Sequence, residues 1–412
     1  MKLRILLSIS IFMLSHSVFA VIVDKLQDYS WKPLKVGAGG FVTGMYIHPN
    51  EANLMYVRTD VSGAYRWDPA NSVWKQLVTS ESMPVDFSYY ATYGGVTSIA
   101  GAPTDANIVY MAYQNRIFKS VDKGDTWTVT AFLENMDSNG DGRQEGERIV
   151  VDPHNSNLVY YGSVGNGLFR TEDGGAKWNR VTGIPVGRVN HGVNTIVFDK
   201  KSGTTNSKTK TIYVTVDGEG VYQSKDAGIS WIKLVDTDIV RPAPRDAEIG
   251  PDGTYYVAYT NETGSKGAVK KYVNNVWVNI TPNVGSSPYN DIAVEPNNGQ
   301  QIVVISSGGS TWSSNNQGQN WTTKYEHFIL QSPNIEWMGK QVTSWLSIGE
   351  ILFDPHDSGK LWFAEGFGVW WTKDLGQYDY GVTWIEESRG IEETCGNTVV
   401  CPPGGKPITA QA

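Results

Sequence analysis

The residues of this chain best suited to chemistry are carboxylates, and they occur in two settings. Asp122, Asp173 and Asp226 each stand third in the string Ser/Thr-x-Asp-x-Gly-x-x-Trp, which runs from Ser120 to Trp127, Thr171 to Trp178 and Ser224 to Trp231. Ser314 to Trp321 is a further copy with Asn316 in place of Asp, Thr372 to Gly376 opens one that is stretched before Trp384, and degenerate copies end at Trp74 and Trp277. A short acid or amide there accepts hydrogen bonds from the backbone of a tight turn. Gly takes a backbone angle that other residues resist, and Trp supplies a large packing face with one polar edge. These acids read as turn formers rather than catalysts. Asp60 is different. It lies in Arg58-Thr59-Asp60-Val61-Ser62-Gly63-Ala64-Tyr65-Arg66-Trp67, at a strand end before a Gly-containing turn and outside any box. An ionised carboxylate in that place can accept a proton, and a neighbouring Arg helps keep it ionised; the competing reading is a turn cap.

Asp137-Ser138-Asn139-Gly140-Asp141-Gly142 has the opening of a calcium loop. Such a loop wants a bidentate Glu at its twelfth position, which is Arg148 here, with Glu147 one place early. No metal and no cofactor are expected.

The elements that position these residues are repeats. An apolar strand, a turn near Asp-Pro and a second strand with an aromatic recur at Ile47-His48-Pro49, Ala102-Pro103, Asp152-Pro153, Asp199, Gly250-Pro251, Glu295-Pro296 and Asp354-Pro355. The copies are about 45 to 60 residues apart, room for four short strands each. That is the length of a propeller blade, and seven can be counted, so the fold class is all-β: a seven-bladed β-propeller with Asp-box repeats. Ring closure also removes exposed sheet edges. One strand-like stretch, Tyr29 to Leu34, is left over before the first blade. It either helps close the ring from outside the last blade or belongs to a second propeller.

The composition fits this reading. With 18% charged residues, 12% aromatics and 44 Gly, the chain is globular and rich in turns. A net charge of −8 without a basic run argues against nucleic acid as a partner. Residues 1–20 read as a signal peptide: Lys2 and Arg4, an apolar run from Ile5, then Val18-Phe19-Ala20 as a cleavage site. An uncleaved anchor is the alternative. Residues 21–412 are then the propeller, secreted or periplasmic, a monomer, and off the membrane after cleavage. The two cysteines, Cys395 and Cys401, are expected to form a local disulfide in an oxidising compartment. Asn261-Glu262-Thr263 and Asn279-Ile280-Thr281 are glycosylation sequons that matter only in a eukaryotic secretory route.

Long excursions between blades carry aromatics suited to sugar rings: Tyr89, Tyr90 and Tyr93 in one, Trp337 and Trp345 in another. Packing of the loops themselves is the other use for them. The string from Arg58 to Trp67, with Phe41-Val42-Thr43-Gly44 before it and Gly95-Val96-Thr97-Ser98 after it, resembles the opening of glycoside hydrolase family 74, the xyloglucanases. Gly142-Arg143, Gly146-Glu147-Arg148, Trp371-Thr372-Lys373-Asp374 and Gly390-Ile391-Glu392-Glu393 resemble later landmarks of that family, so the likeness runs from about Trp31 to Gly405. It implies two propellers facing each other across a cleft, one Asp on each, and hydrolysis with inversion. Asp60 would be the general base, and the general acid would stand far enough away to admit a water. Tyr65, Trp67, Tyr93, Trp337 and Trp345 are the candidate sugar contacts.

The departure from the family is that the general acid comes from a second propeller, beyond the Pro402-Pro403-Gly404-Gly405 region, and the chain ends at Ala412. Neither Glu147 nor Glu393 has a motif that makes it the partner. The expectation is therefore a secreted hydrolase of xyloglucan or a related β-1,4-glucan, with the chain lacking a second, C-terminal propeller. The alternatives are a non-catalytic glycan- or protein-binding propeller and an inactive fragment. A sialidase shares the boxes, but it needs clustered arginines that no motif here supplies.

Overall fold

Blade 1 shows how the pattern becomes structure. In the computed structural model, β1 (Val42–Ile47), β2 (Met55–Thr59), β3 (Ala64–Asp68) and β4 (Val73–Gln76) form one antiparallel meander. Side chains of a strand alternate between its two faces, and both faces are buried here. Met45, Ile47, Met55, Val57, Tyr65 and Trp67 pack against Trp362, Ala364 and Val369 of the last blade. Tyr56 and Ala64 point the other way, against Ile99, Val109 and Phe118 of the second blade. Each blade thus shares one core with each neighbour.

Six more sheets repeat this order, with inner strands Val96–Ala102, Ile149–Asp152, Val193–Thr205, Ala243–Ile249, Tyr289–Val294 and Ile348–Phe353. The expected seven-bladed, all-β propeller is what forms. Blade 7 carries a fifth strand, Phe328–Gln331, parallel to its outer strand Val382–Glu386. The ring closes through the segment that follows. Trp74 of blade 1 donates its N–H to Arg389 O at 2.8 Å and its indole N–H to Glu387 O at 2.6 Å. Gly390 and Glu393 donate to Gly37 O and Gly39 O at 2.9 and 2.8 Å. Gly390, at φ 97°, is required there, because a Cβ would lie 2.5 Å from Trp74 O.

The boxes are turns, as expected. Ser120 Oγ accepts from Asp122 N at 3.2 Å and Gly124 N at 2.8 Å, and Asp122 accepts from Thr126 N at 2.9 Å. Trp127 reaches back to donate to Leu77 O in blade 1 at 3.1 Å. In blade 6, Asn316 accepts from Asn320 N at 2.8 Å and Trp321 donates to Ile280 O at 2.6 Å, so a neutral amide does the same work. All lie between third and fourth strands, on one face of the ring. The opposite face carries the turns between second and third strands and the connections from one blade to the next.

The structure describes residues 36–61, 63–87, 94–239, 242–260, 267–282, 288–324, 328–340, 347–375, 382–393, 396–400 and 408–411. The expected signal peptide, the strand at Tyr29, the Cys395–Cys401 disulfide, Tyr93 and Trp345 lie outside them. Residues 36–412 form one compact unit. Among the described residues no helix is long and apolar enough to cross a membrane.

Candidate active site

Asp60 follows β2 on the face of blade connections. The N–H and hydroxyl of Thr59 both donate to Gly63 O, at 3.0 and 2.9 Å, and close a tight turn in which Gly63 has φ 110°. The two connections at either end of blade 2 hold the Asp60 backbone. Ser138 Oγ, from the connection into blade 3, donates to Asp60 O at 3.2 Å. Gly95, at the entry to blade 2, packs so closely that a Cβ there would stand 2.0 Å from the same oxygen.

The Asp60 side chain is mostly covered, and Arg143 Nε lies 3.6 Å from its Oδ2. Burial pushes the carboxyl above the ordinary Asp value, because a charge is costly to desolvate, and the Arg143 guanidinium partly opposes that push. Among the described residues Arg143 is the charged group that acts on it. A mostly covered carboxylate of raised basicity, on one face of the ring, can take a proton from a water.

The Arg expected to keep Asp60 ionised was Arg58, and this is corrected. Arg58 is 2% exposed and turns into the bore of the ring. It donates to Thr43 Oγ1 at 3.1 Å, Arg143 O at 2.8 Å and Gly146 O at 3.1 Å, and its Nη2 lies 3.6 Å from Glu147. The sequence held Arg143 only as a family landmark. Its pairing with Asp60 depends on how the connection from blade 2 into blade 3 meets the turn after β2, and local spacing carries no signal for that.

The bore below is acidic. A cavity of about 320 Å³ is lined by Glu147, Thr195, Asp246, Glu248 and Glu350, among others. Glu147 accepts from Ser98 Oγ at 3.0 Å, Glu350 from Met45 N at 2.6 Å, Asp291 from Ile351 N at 2.9 Å and Glu248 from Val294 N at 2.6 Å. Glu147 also hydrogen-bonds Glu350, and Asp246 hydrogen-bonds Asp291. Two carboxyls so joined share a proton. Burial raises all five, Glu248 to about 8 with help from the nearby Asp246. Glu147 is therefore committed to the bore. Glu393, 7% exposed, hydrogen-bonds Tyr65. Arg148, at the twelfth position of the calcium-like stretch, donates to His191 O, Val193 O and Gly142 O.

The aromatics separate. Tyr65 and Trp67 are 3% and 8% exposed in the core shared by blades 1 and 7, and Trp67 packs on Trp74 with ring centroids 5.3 Å apart and the planes inclined at 58°. Among the described residues they are covered and offer no open face to a sugar, which corrects the expectation placed on them. Trp337 is 37% exposed, lies in the connection into blade 7 and donates to Val36 O at 3.3 Å. Val85, Leu133, Val189 and Val235 are exposed in other connections of the same face. The face bearing Asp60 is thus studded with apolar side chains around a polar centre.

No family model matches the chain. It is 32% identical to the xyloglucanase Xgh74A of Acetivibrio thermocellus, over 93% of this chain and 52% of that one. It is 30% identical to a xyloglucanase of a Paenibacillus species, over 92% of this chain and 42% of that one. It spans about half the length of these curated relatives. Among solved structures, the glycoside hydrolase family 74 enzyme of Niastella koreensis superposes with a TM-score of 0.79 at 30% identity, covering 91% of this chain and 58% of that one. The family 74 xyloglucanase of Xanthomonas campestris gives 0.80 at 28% identity, covering 93% and 59%. The resemblance read from the Arg58–Trp67 string therefore extends over nine-tenths of the chain, in sequence and in fold.

Proposed function

We propose that this propeller is the base-bearing half of an exported, monomeric hydrolase that cleaves xyloglucan or a related β-1,4-glucan with inversion. The observation that carries the reading is the setting of Asp60: a mostly covered carboxyl made more basic by burial, on the ring face that also exposes Trp337. Asp60 takes a proton from a water, and the water oxygen bonds to the anomeric carbon as the glycosidic C–O bond breaks. A carboxylic acid on the far side of the sugar protonates the leaving oxygen, and the two carboxyls must stand far enough apart to admit the water. That acid is supplied by a second propeller closing over this face, since the carboxyls of the described bore are engaged with one another. Trp337, and Tyr93 and Trp345 on the same kinds of connection, give the sugar its apolar contacts. Two carboxyls and a water suffice, so no metal or cofactor takes part.

The test is reducing-sugar release from xyloglucan, with a pull-down on the same polymer, for the chain alone and together with any region encoded downstream of Ala412. Asp60→Asn is the control. Release that needs both the downstream region and Asp60 supports the reading. Release from the chain alone that survives Asp60→Asn overturns Asp60 as the base. Neither binding nor release in any form turns the reading to a protein-binding propeller.

A further inference from the structure

We propose that Arg143 is the positioning residue of Asp60, and that Arg58 and Phe41 hold it in place. The proposal rests on Asp60 being the base and adds what aims it. At 3.6 Å, Arg143 Nε is close enough to attract the carboxylate, yet it forms no direct hydrogen bond that would tie down the oxygen pair.

Arg143 is fixed from three sides. Its Nη1 donates to Gly140 O at 3.0 Å, and its guanidinium sits over the Phe41 ring at 5.2 Å. Its backbone carbonyl accepts from Arg58 Nη1 at 2.8 Å. Arg58 also holds Gly146 O at 3.1 Å, so one buried guanidinium pins the connection into blade 3 at two points. Arg58 lies on β2 and Asp60 directly follows it, two residues on. The strand that carries the carboxylate therefore also anchors the loop that brings its cation. A shift of β2 moves both together and preserves their separation. Among the described residues the other charged groups of β2 and of the connection into blade 3 do not compete. Arg58 is turned into the bore against Glu147, and Asp137 and Asp141 of the blade 3 connection are exposed, Asp137 capping its own turn at Asn139 N at 3.1 Å.

A fixed cation at this distance holds the carboxyl in its ionised form until the water is deprotonated, against the opposing effect of burial. Loss of the cation raises the midpoint of Asp60, whereas loosened packing that admits water to the carboxyl lowers it, so the direction separates the two roles. The experiment follows that midpoint directly, by carbon NMR of the full chain labelled at the Asp side-chain carboxyl, with the Asp60 signal assigned by its loss in Asp60→Asn. In Arg143→Gln the midpoint should rise by roughly one unit. In Phe41→Leu, which keeps the charge and removes its platform, it should rise by less. Where Arg143→Gln does not fold, Phe41→Leu decides alone. An Asp60 midpoint equal to that of the wild type in the folded variants overturns the proposal. This outcome is separate from the fate of the base assignment: hydrolysis that persists in Asp60→Asn removes the base and leaves the titration result standing.

Discussion

Arg58 pairs with Glu147 in the bore, 3.6 Å away, and leaves Asp60, two residues further along, to an arginine from another blade. The guanidinium also satisfies Thr43 Oγ1 and two backbone carbonyls. Replacing it with Met of similar length would leave these buried acceptors without donors. Unpaired buried groups cost about 1–3 kcal/mol each before relaxation, so we expect Arg58→Met to lose about 3 kcal/mol in urea unfolding. A loss below about 0.5 kcal/mol, the range of ordinary surface changes, would show that water replaces Arg58 without penalty.

The sequence disclosed the ring because its signals are local. A box such as Ser120 to Trp127 closes within eight residues, because Ser120 Oγ and the Asp122 carboxylate accept from backbone N–H groups inside that span. Strand alternation also held more than the site assignment used. Tyr65 pairs with Val57 across β2 and β3, and alternation along β3 puts Trp67 on the same face, in the interblade core. What no local pattern carries is the meeting of blades: Arg143 against Asp60, Ser138 on Asp60 O, or Glu350 beside Glu147.

The base assignment predicts the fate of a foreign nucleophile. With Asp60→Gly in the chain joined to the region encoded downstream, water loses its proton acceptor, and the proposed turnover of xyloglucan should fall by about 10²–10⁴-fold. Azide needs no base. It can bond to the anomeric carbon from the vacated side as the glycosidic bond breaks, with the leaving oxygen still protonated by the opposing acid. The expected product is a glycosyl azide of α configuration, read by proton NMR, and a product of β configuration would contradict inversion.

The bore predicts how stability follows pH. Glu248 ionises at about 8 in the folded protein, above its ordinary value of 4.5. Between these limits the folded state holds a proton that the unfolded chain has released, so stability falls as pH rises from about 4.5 to about 8 and levels off above. Asp226 of a box acts oppositely: hydrogen bonds from Ser230 hold it down to about 2, and its contribution is lost as pH falls through that range. The melting temperature should therefore peak near pH 5. Glu248→Gln should be close to neutral at pH 5 and stabilising at pH 8 by an amount on the order of a few kcal/mol. A flat difference between the two proteins across that window would show that Glu248 ionises normally.

The boxes predict stability effects without functional ones. Asp122→Ala removes the acceptor for Thr126 N and leaves that exposed donor to water, so about 1 kcal/mol should be lost. Trp127→Ala empties a site that is 4% exposed and breaks the link to Leu77, and about 3–5 kcal/mol should be lost. Both residues lie on the ring face away from Asp60, so the folded variants should retain wild-type binding to xyloglucan in the pull-down. Binding lost with Asp122→Ala, in a protein that melts near the wild type, would move the glycan site to the box face.

Gly95→Ala tests the wedge behind Asp60 by adding a single methyl group. The Cβ would stand 2.0 Å from Asp60 O, 2.2 Å from its carbonyl carbon and 2.6 Å from Thr59 O. These are backbone atoms at the end of β2, where no flexible side-chain tip can yield, so the turn carrying the carboxylate must move. Overpacking of this kind usually costs about 1–3 kcal/mol. Displacement of the base relative to the water it activates costs turnover separately, since about 1 Å of misplacement can remove about 10²-fold. The expected variant folds with a lowered melting temperature and keeps its affinity for the polymer, and when joined to the region encoded downstream it loses kcat far more than it raises KM. Equal kcat with a lowered melting temperature would mean that the turn relaxes without carrying Asp60 with it, and the wedge would then be structural alone.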